Sequence, residues 1–258
     1  MKIIKKEGKM RKFIIFVIFI SIIALPVAAR PKYSLNLGYS FWSLNLIKGL
    51  IEDAVGDELQ TQLQDQIRGD FPEETLADYN QTINFDSSGG GLAIELRIYP
   101  SGENGSFSLG FTYARIDSNI ELSGDFRQNF VSGDYITASA DSKLIHKYSA
   151  FLLDLRWDLF PEGKIHPYFS IGGGLAPLNG TLTYSASGFA YIDKKKEKYN
   201  IEEETEELAD IEDITISIVP ILLVNAGIRV DLYEGMSVYA DGGVWNGFLF
   251  RVGLSYSF

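Results

Sequence analysis

Phe151-Leu152-Leu153-Asp154-Leu155-Arg156-Trp157-Asp158-Leu159 is the stretch that decides the fold. Every odd position is apolar, and Asp154, Arg156 and Asp158 fill three of the four even ones. A period of two places the two sets on opposite faces of a β-strand. One face suits hydrocarbon and the other carries charge of both signs.

The same alternation recurs on both sides. Leu35, Leu37, Tyr39 and Phe41 alternate with Asn36, Gly38 and Ser40. Leu92, Ile94, Leu96 and Ile98 alternate with Ala93, Glu95 and Arg97, and Phe107, Leu109, Phe111 and Tyr113 with Ser108, Gly110 and Thr112. Downstream, Phe169, Ile171 and Leu175 share a parity, and Val224, Ala226, Ile228, Val230 and Leu232 alternate with Asn225, Gly227, Arg229 and Asp231. A weaker strand runs from Met236 to about Gly243, and a last one aligns Phe250, Val252, Leu254, Tyr256 and Phe258. The spacing therefore predicts eight strands.

Their connections alternate in length. Short ones hold turn residues: Pro100 to Gly105, Pro161-Glu162-Gly163-Lys164, Tyr233-Glu234-Gly235 and a tight turn near Trp245-Asn246-Gly247. Long ones follow the first, third and fifth strands. Long and short in alternation predicts an all-β fold: an eight-stranded antiparallel up-and-down transmembrane β-barrel. A sheet in hydrocarbon cannot leave an edge unpaired, so it must close.

The charged face carries Glu95, Arg97, Asp154, Arg156, Asp158, Arg229, Asp231 and Arg251, four acids and four bases. Buried ions are tolerable when paired, so the expectation is a charge network filling a narrow lumen. Tyr33, Trp42, Tyr99, Tyr113, Tyr148, Phe160, Tyr233, Trp245 and Phe258 are expected as aromatic girdles near strand ends.

The composition agrees. The 258 residues include no Cys, which excludes a disulfide framework, a Cys-based metal site and an acylated-Cys anchor. A net charge of −11 argues against nucleic acid as a partner. Residues 1–29 have a basic start, an apolar run from Phe13 to Leu25 and then Val27-Ala28-Ala29, the order of a secretory signal peptide with cleavage after Ala29. The competing reading is a retained anchor, for which about thirteen residues fall short of the roughly 20 needed. Without this segment 17 bases face 33 acids. Residues 30–258 form the expected barrel domain.

Two stretches now carry a resemblance. Gly253-Leu254-Ser255-Tyr256-Ser257-Phe258 is similar to the signal by which assembly machinery recognises outer-membrane barrels, with Leu254, Tyr256 and Phe258 as its alternating residues. Pro167-Tyr168-Phe169-Ser170-Ile171-Gly172-Gly173-Gly174, after a Phe-Pro turn, resembles the fifth strand of the outer-membrane protein β-barrel family, which includes OmpA-, OmpX- and OmpW-like barrels. The resemblance implies architecture and an outer-membrane location. The family is functionally mixed, so it implies no activity.

Two insertions stand apart. In residues 44–71, Ile47, Ile51, Val55, Leu59, Leu63 and Ile67 recur every four residues, which predicts an amphipathic helix in the first long loop, weakened by Gly49 and Gly56. It could act as a lid, a plug or a partner-binding element, or simply pack over the barrel mouth. About 178–215, Lys194-Lys195-Lys196 precedes Glu202-Glu203-Glu204, Glu206, Glu207, Asp210, Glu212 and Asp213. That run reads as an acidic solvated loop. It lacks the spacing of a Ca²⁺ loop, and no metal or other cofactor is expected. The triplets Gly89–Gly91 and Gly172–Gly174 precede no helix, so they suit close strand contact better than phosphate binding.

An enzyme acting on lipid A acyl chains would need a nucleophile, a base and an orienting group together. The two histidines do not supply this. His146 is followed by Lys147-Tyr148-Ser149 and lacks the His-x-Ser pair of the lipid A deacylase family, and His166 falls near the opposite strand end. The expectation is a non-enzymatic outer-membrane protein serving envelope integrity or surface interaction. The alternative is a narrow, porin-like channel for small or apolar solutes. Expected partners are outer-membrane lipid, lipopolysaccharide and the assembly machinery, with the chain a monomer.

Overall fold

A computed structural model describes residues 31–102, 105–177, 179–211 and 218–258. The signal-peptide segment and Glu212 and Asp213 of the acidic run lie outside these residues.

Among the described residues ten strands form: β1 (Lys32–Ser43), β2 (Leu76–Tyr99), β3 (Phe107–Phe130), β4 (Tyr135–Asp158), β5 (Ile165–Pro177), β6 (Gly180–Ile192), β7 (Lys195–Glu207), β8 (Ile218–Tyr233), β9 (Met236–Trp245) and β10 (Phe248–Ser257). Eight of them close a ring. β1 pairs with β2, β2 with β3, β3 with β4, β4 with β5, β5 with β8, β8 with β9, β9 with β10, and β10 back with β1, all antiparallel. The seam between β1 and β10 runs in unbroken register from Ser34 opposite Ser257 to Ser43 opposite Phe248. Closure leaves no backbone edge to hydrocarbon.

The ring is inside-out. On β1, Leu35, Leu37 and Phe41 are about half exposed, whereas Ser34, Asn36 and Ser40 are buried. The outward apolar run from Tyr33 to Phe41 spans nine residues. At ~3.3 Å per residue and a tilt of ~40°, it stands about 20–25 Å tall, the height of a hydrocarbon belt.

Two expectations are corrected above this belt. The segments after the third and fifth strands are not loops. β2, β3 and β4 each run 24 residues, well beyond the rim of the ring. The upper half of β4 leaves β5 and pairs with β6, from His146 opposite Gly180 to Tyr135 opposite Tyr191. β6 pairs in turn with β7. The stretch expected as an acidic loop is thus largely a hairpin, turned through Asp193 and Lys194, whose φ values of 51° and 65° suit a two-residue hairpin turn. The result is a five-stranded half-barrel, β2-β3-β4-β6-β7, continuous with the ring. The free edge falls on β7, dense in Lys and Glu, and such charge discourages edge-to-edge association.

Alternation survives into this extension, but its sign reverses. On β3 the outward side chains change from Phe107, Leu109, Phe111 and Tyr113 to Arg115, Asp117, Asn119 and Glu121. The inward ones change from Ser108, Gly110 and Thr112 to Ile116, Ile120, Leu122 and Phe126. Below the reversal, lipid takes the apolar face. Above it, water lies outside and the apolar face turns in.

The predicted helix is present as a 3-10 turn, Asn45–Ile47, followed by α1 (Lys48–Asp70). It packs along β2 above the rim, where β1 has ended. There it covers the open strand edge. Asn45 Oδ1 accepts from the Ser87 amide at 2.9 Å, and Glu52 Oε1 accepts from the Phe85 amide at 2.8 Å. Gly56 permits the approach, since a Cβ there would meet the Gln81 side chain. Ile67 is buried, and Phe71 lies 6.3 Å from Phe130 between ring centroids.

Candidate functional site

The lumen holds two layers. In the periplasmic half, the inward charges form a nearly continuous network. Arg97 donates through Nε to Glu95 at 2.7 Å and through Nη2 to Asp154 at 2.6 Å. Glu95 also accepts from Asn36 at 2.6 Å and lies 3.7 Å from Arg251. Arg251 donates to Asp241 at 2.7 Å, and the Tyr168 hydroxyl donates to the same Asp241 oxygen at 2.8 Å. Arg156 is held by Asp158 at 2.5 Å and stacks over the Tyr168 ring at 3.4 Å.

The remaining two expected network members lie apart, near the periplasmic opening. Arg229 donates to the Tyr99 hydroxyl at 2.6 Å and approaches Asp231 at 3.4 Å. Asp231 accepts from Ser237 at 2.7 Å and meets His166 Nε2 at 2.9 Å. Its side chain is 44% exposed, so this cluster is a wet rim and not part of the dry layer. Sequence reading missed Asp241, which is buried, because the strand from Met236 was too weakly patterned to assign faces. Its parity with Tyr239 and Ser237 was the available signal.

Above the charges sits an apolar plug. Trp42, Tyr148, Leu152, Ile221, Leu223, Trp245 and Leu249 pack with Ala93, Ala114, Ile116, Ala150 and Ala176 into one buried cluster across the upper lumen. Here the girdle expectation needs correction. Trp42, Tyr99, Tyr148 and Trp245 all point inward, and Trp245 is only 1% exposed. Proximity to a strand end suggested an interface, but side-chain parity decides the face: Trp42 has the parity of Ser40, not of Phe41. Tyr33, Tyr113, Phe160, Tyr233 and Phe258 do lie outside.

An apolar belt outside, paired charge inside and a ring without an edge are together the solution by which a sheet crosses a bilayer. The chain is an outer-membrane-type β-barrel. Its place is the outer membrane, where barrels of this construction reside.

No family model matches this chain, and no curated protein does. Among solved structures it is similar to the outer membrane protein OprG from Pseudomonas aeruginosa, at 8% identity over 89% of this chain and 97% of that one, with a TM-score of 0.29. It is also similar to the β domain of the Bordetella autotransporter BrkA, at 10% identity over 89% of this chain and 100% of that one, with a TM-score of 0.18. The translocator domain of the autotransporter NalP from Neisseria meningitidis matches at 8% identity over 97% of this chain and 95% of that one, with a TM-score of 0.18. The assignment of the barrel rests on its own strand pairing and exposure pattern.

The half-barrel above the rim supplies the second candidate surface. Its concave face presents Phe85, Leu122, Phe126, Ala138, Tyr184 and Tyr199, with open clefts along it. A cavity of about 320 Å³ separates Leu63 and Ile67 of α1 from Ile136, Ala190 and Ile201. Tyr184 donates to Glu204 at 2.8 Å and to Glu206 at 2.9 Å, and these bonds raise its hydroxyl above the ordinary tyrosine range. Partial burial lowers His146 below the ordinary histidine range. Among the described residues no cluster of His, Asp and Glu is arranged to hold a metal ion.

Proposed function

We propose that this is a non-conducting, non-enzymatic barrel whose working part is the extracellular half-barrel, a platform for surface interaction and envelope integrity. The observation that carries the reading is the doubly closed lumen. A permeating ion would have to part the Trp42–Trp245 plug and then displace carboxylates already held by Arg97, Arg156 and Arg251. Meanwhile three strands and a hairpin extend well past the lipid belt, more chain than anchoring needs.

The enzyme alternative is weakened by the histidines. His166 is engaged with Asp231 at the periplasmic rim, and the His146 ring lies tilted against Tyr148 with centroids 4.7 Å apart, its Nε2 bonded to no hydroxyl among the described residues. The partners we assign are lipid on the apolar belt and lipopolysaccharide above it. Arg115 and Lys147 point outward just past Tyr113 and Phe151, at the depth of headgroup phosphates. Leu254, Tyr256 and Phe258 would be read by the assembly machinery, and the closed ring needs no second copy.

Planar-bilayer recording tests the reading against the narrow-channel alternative. The purified barrel should stay silent across voltage and pH. Stable unitary conductance would replace this reading with the channel.

A further inference from the structure

The first turn of the helical insertion carries the largest apolar exposure near the rim. Leu46 is 78% exposed and Leu50 is 71% exposed, above the half-exposed side chains of the belt itself. Leu46 is not isolated. It forms one wall of a shallow cleft of about 600 Å³ whose other walls include Phe41, Val244, Phe248 and Phe250, outward residues from the tops of β1, β9 and β10. The apolar belt therefore continues off the strands and onto the insertion.

Polarity then changes along the exposed face of α1. After Leu46 and Leu50 come Asp53, Asp57 and Glu58. The helix rises from the rim toward the outer end of the half-barrel. Asn45 and Glu52 hold its base to Ser87 and Phe85, and Phe71 meets Phe130 at its far end. The leucines thus sit lowest and the carboxylates higher.

We infer that Leu46 and Leu50 are a membrane-contacting foot: the first turn of the insertion dips into the outer leaflet and stands α1 upright on the bilayer surface. The inference rests on the transmembrane reading of the barrel. The occupant is lipid, because the patch is continuous with a surface that lipid already covers. Apolar side chains at the boundary of headgroup and acyl chain gain by leaving water. A helix with acids along its length would be repelled if it lay flat on anionic headgroups, so only its first turn enters. The insertion is then stapled twice, to the β2 edge by hydrogen bonds and to the leaflet by two leucines.

The chain has no Cys, so single-Cys variants give clean labelling sites. Nitroxide labels at Leu46→Cys, Leu50→Cys, Phe41→Cys and Asp57→Cys, in full-length barrels reconstituted in phosphatidylcholine vesicles, would be probed by oxygen and by a water-soluble nickel chelate. Labels at Leu46 and Leu50 should favour oxygen, as at Phe41, and the label at Asp57 should favour the chelate. Chelate-dominated relaxation at both leucines, with Phe41 still in lipid, overturns the foot and leaves the barrel reading intact. Chelate access at Phe41 itself overturns both. Leu50→Cys gives an independent result if the Leu46 variant folds poorly.

Discussion

Arg97 and Asp154 meet at 2.6 Å although their strands, β2 and β4, are not neighbours. β3 runs between them, and the residue in register with both is Gly110. A Cβ there would collide with the Asp154 carboxylate and the Arg97 guanidinium. The missing side chain is the gap through which the ion pair forms. Gly227, three strands further around the ring, does the same for Tyr168 and Asp241.

Gly110→Ala should therefore act like the loss of the pair, although it removes no charge. Breaking a buried pair costs about 3–5 kcal/mol. Arg97→Ala should fall in that range, since it strands both Glu95 and Asp154, and Gly110→Ala should approach it. Urea unfolding of the reconstituted barrel, followed by tryptophan fluorescence, gives both values. A Gly110→Ala barrel as stable as the parent would show that the pair can form around a methyl group.

The two lumen layers should act as independent seals. Trp245→Ala empties the centre of the plug, a truncation of a kind that costs about 3–5 kcal/mol, yet the charged layer beneath stays paired. Bilayers holding this variant should remain silent. Combined with Arg97→Ala, it should show conductance. Current through Trp245→Ala alone would mean that the ion network does not close the pore.

Face assignment can be read by accessibility. Cys at Leu155 should react with a lipid-soluble thiol reagent and not with a water-soluble one. Cys at Asp154 or Arg156 should show no lipid-phase reaction. A reversed pattern would falsify the inside-out arrangement. Leu155→Arg should cost about 2–4 kcal/mol if it lies near the bilayer midplane.

Phe258 closes the seam of the ring. Its amide donates to the Tyr33 carbonyl at 2.8 Å, its carbonyl accepts from the Tyr33 amide at 3.0 Å, and its ring stacks on Tyr33 and Tyr256. Phe258→Ser keeps the backbone bonds and loses the stacking. The expected outcome is a lower yield of inserted barrel with secretion unchanged, measured by surface labelling against total periplasmic protein. Parental surface levels would argue that the stacking at the seam is dispensable.

Local patterning alone determined much of this protein. Odd-position apolar residues from Phe151 to Leu159, and the same pattern elsewhere, dictated strands, because the pleat sorts alternate side chains to opposite faces whatever the strand pairs with. The number of ring strands, the closed sheet and most inward charges follow from that one rule and from the demand of hydrocarbon for satisfied backbone groups, and the amphipathic insertion at 44–71 from a repeat of four. Three things waited for the tertiary structure. The reversal of the apolar face between Tyr113 and Ile116 looks locally like the end of a strand, and only pairing with β2 and β4 reveals that the strand continues into water. The Lys- and Glu-rich segment 195–207 has no apolar face of its own to announce a strand, and it becomes one because β6 offers a free edge. The partners of Arg97, Arg251 and Trp245 depend on register across strands distant in sequence, which no short window encodes.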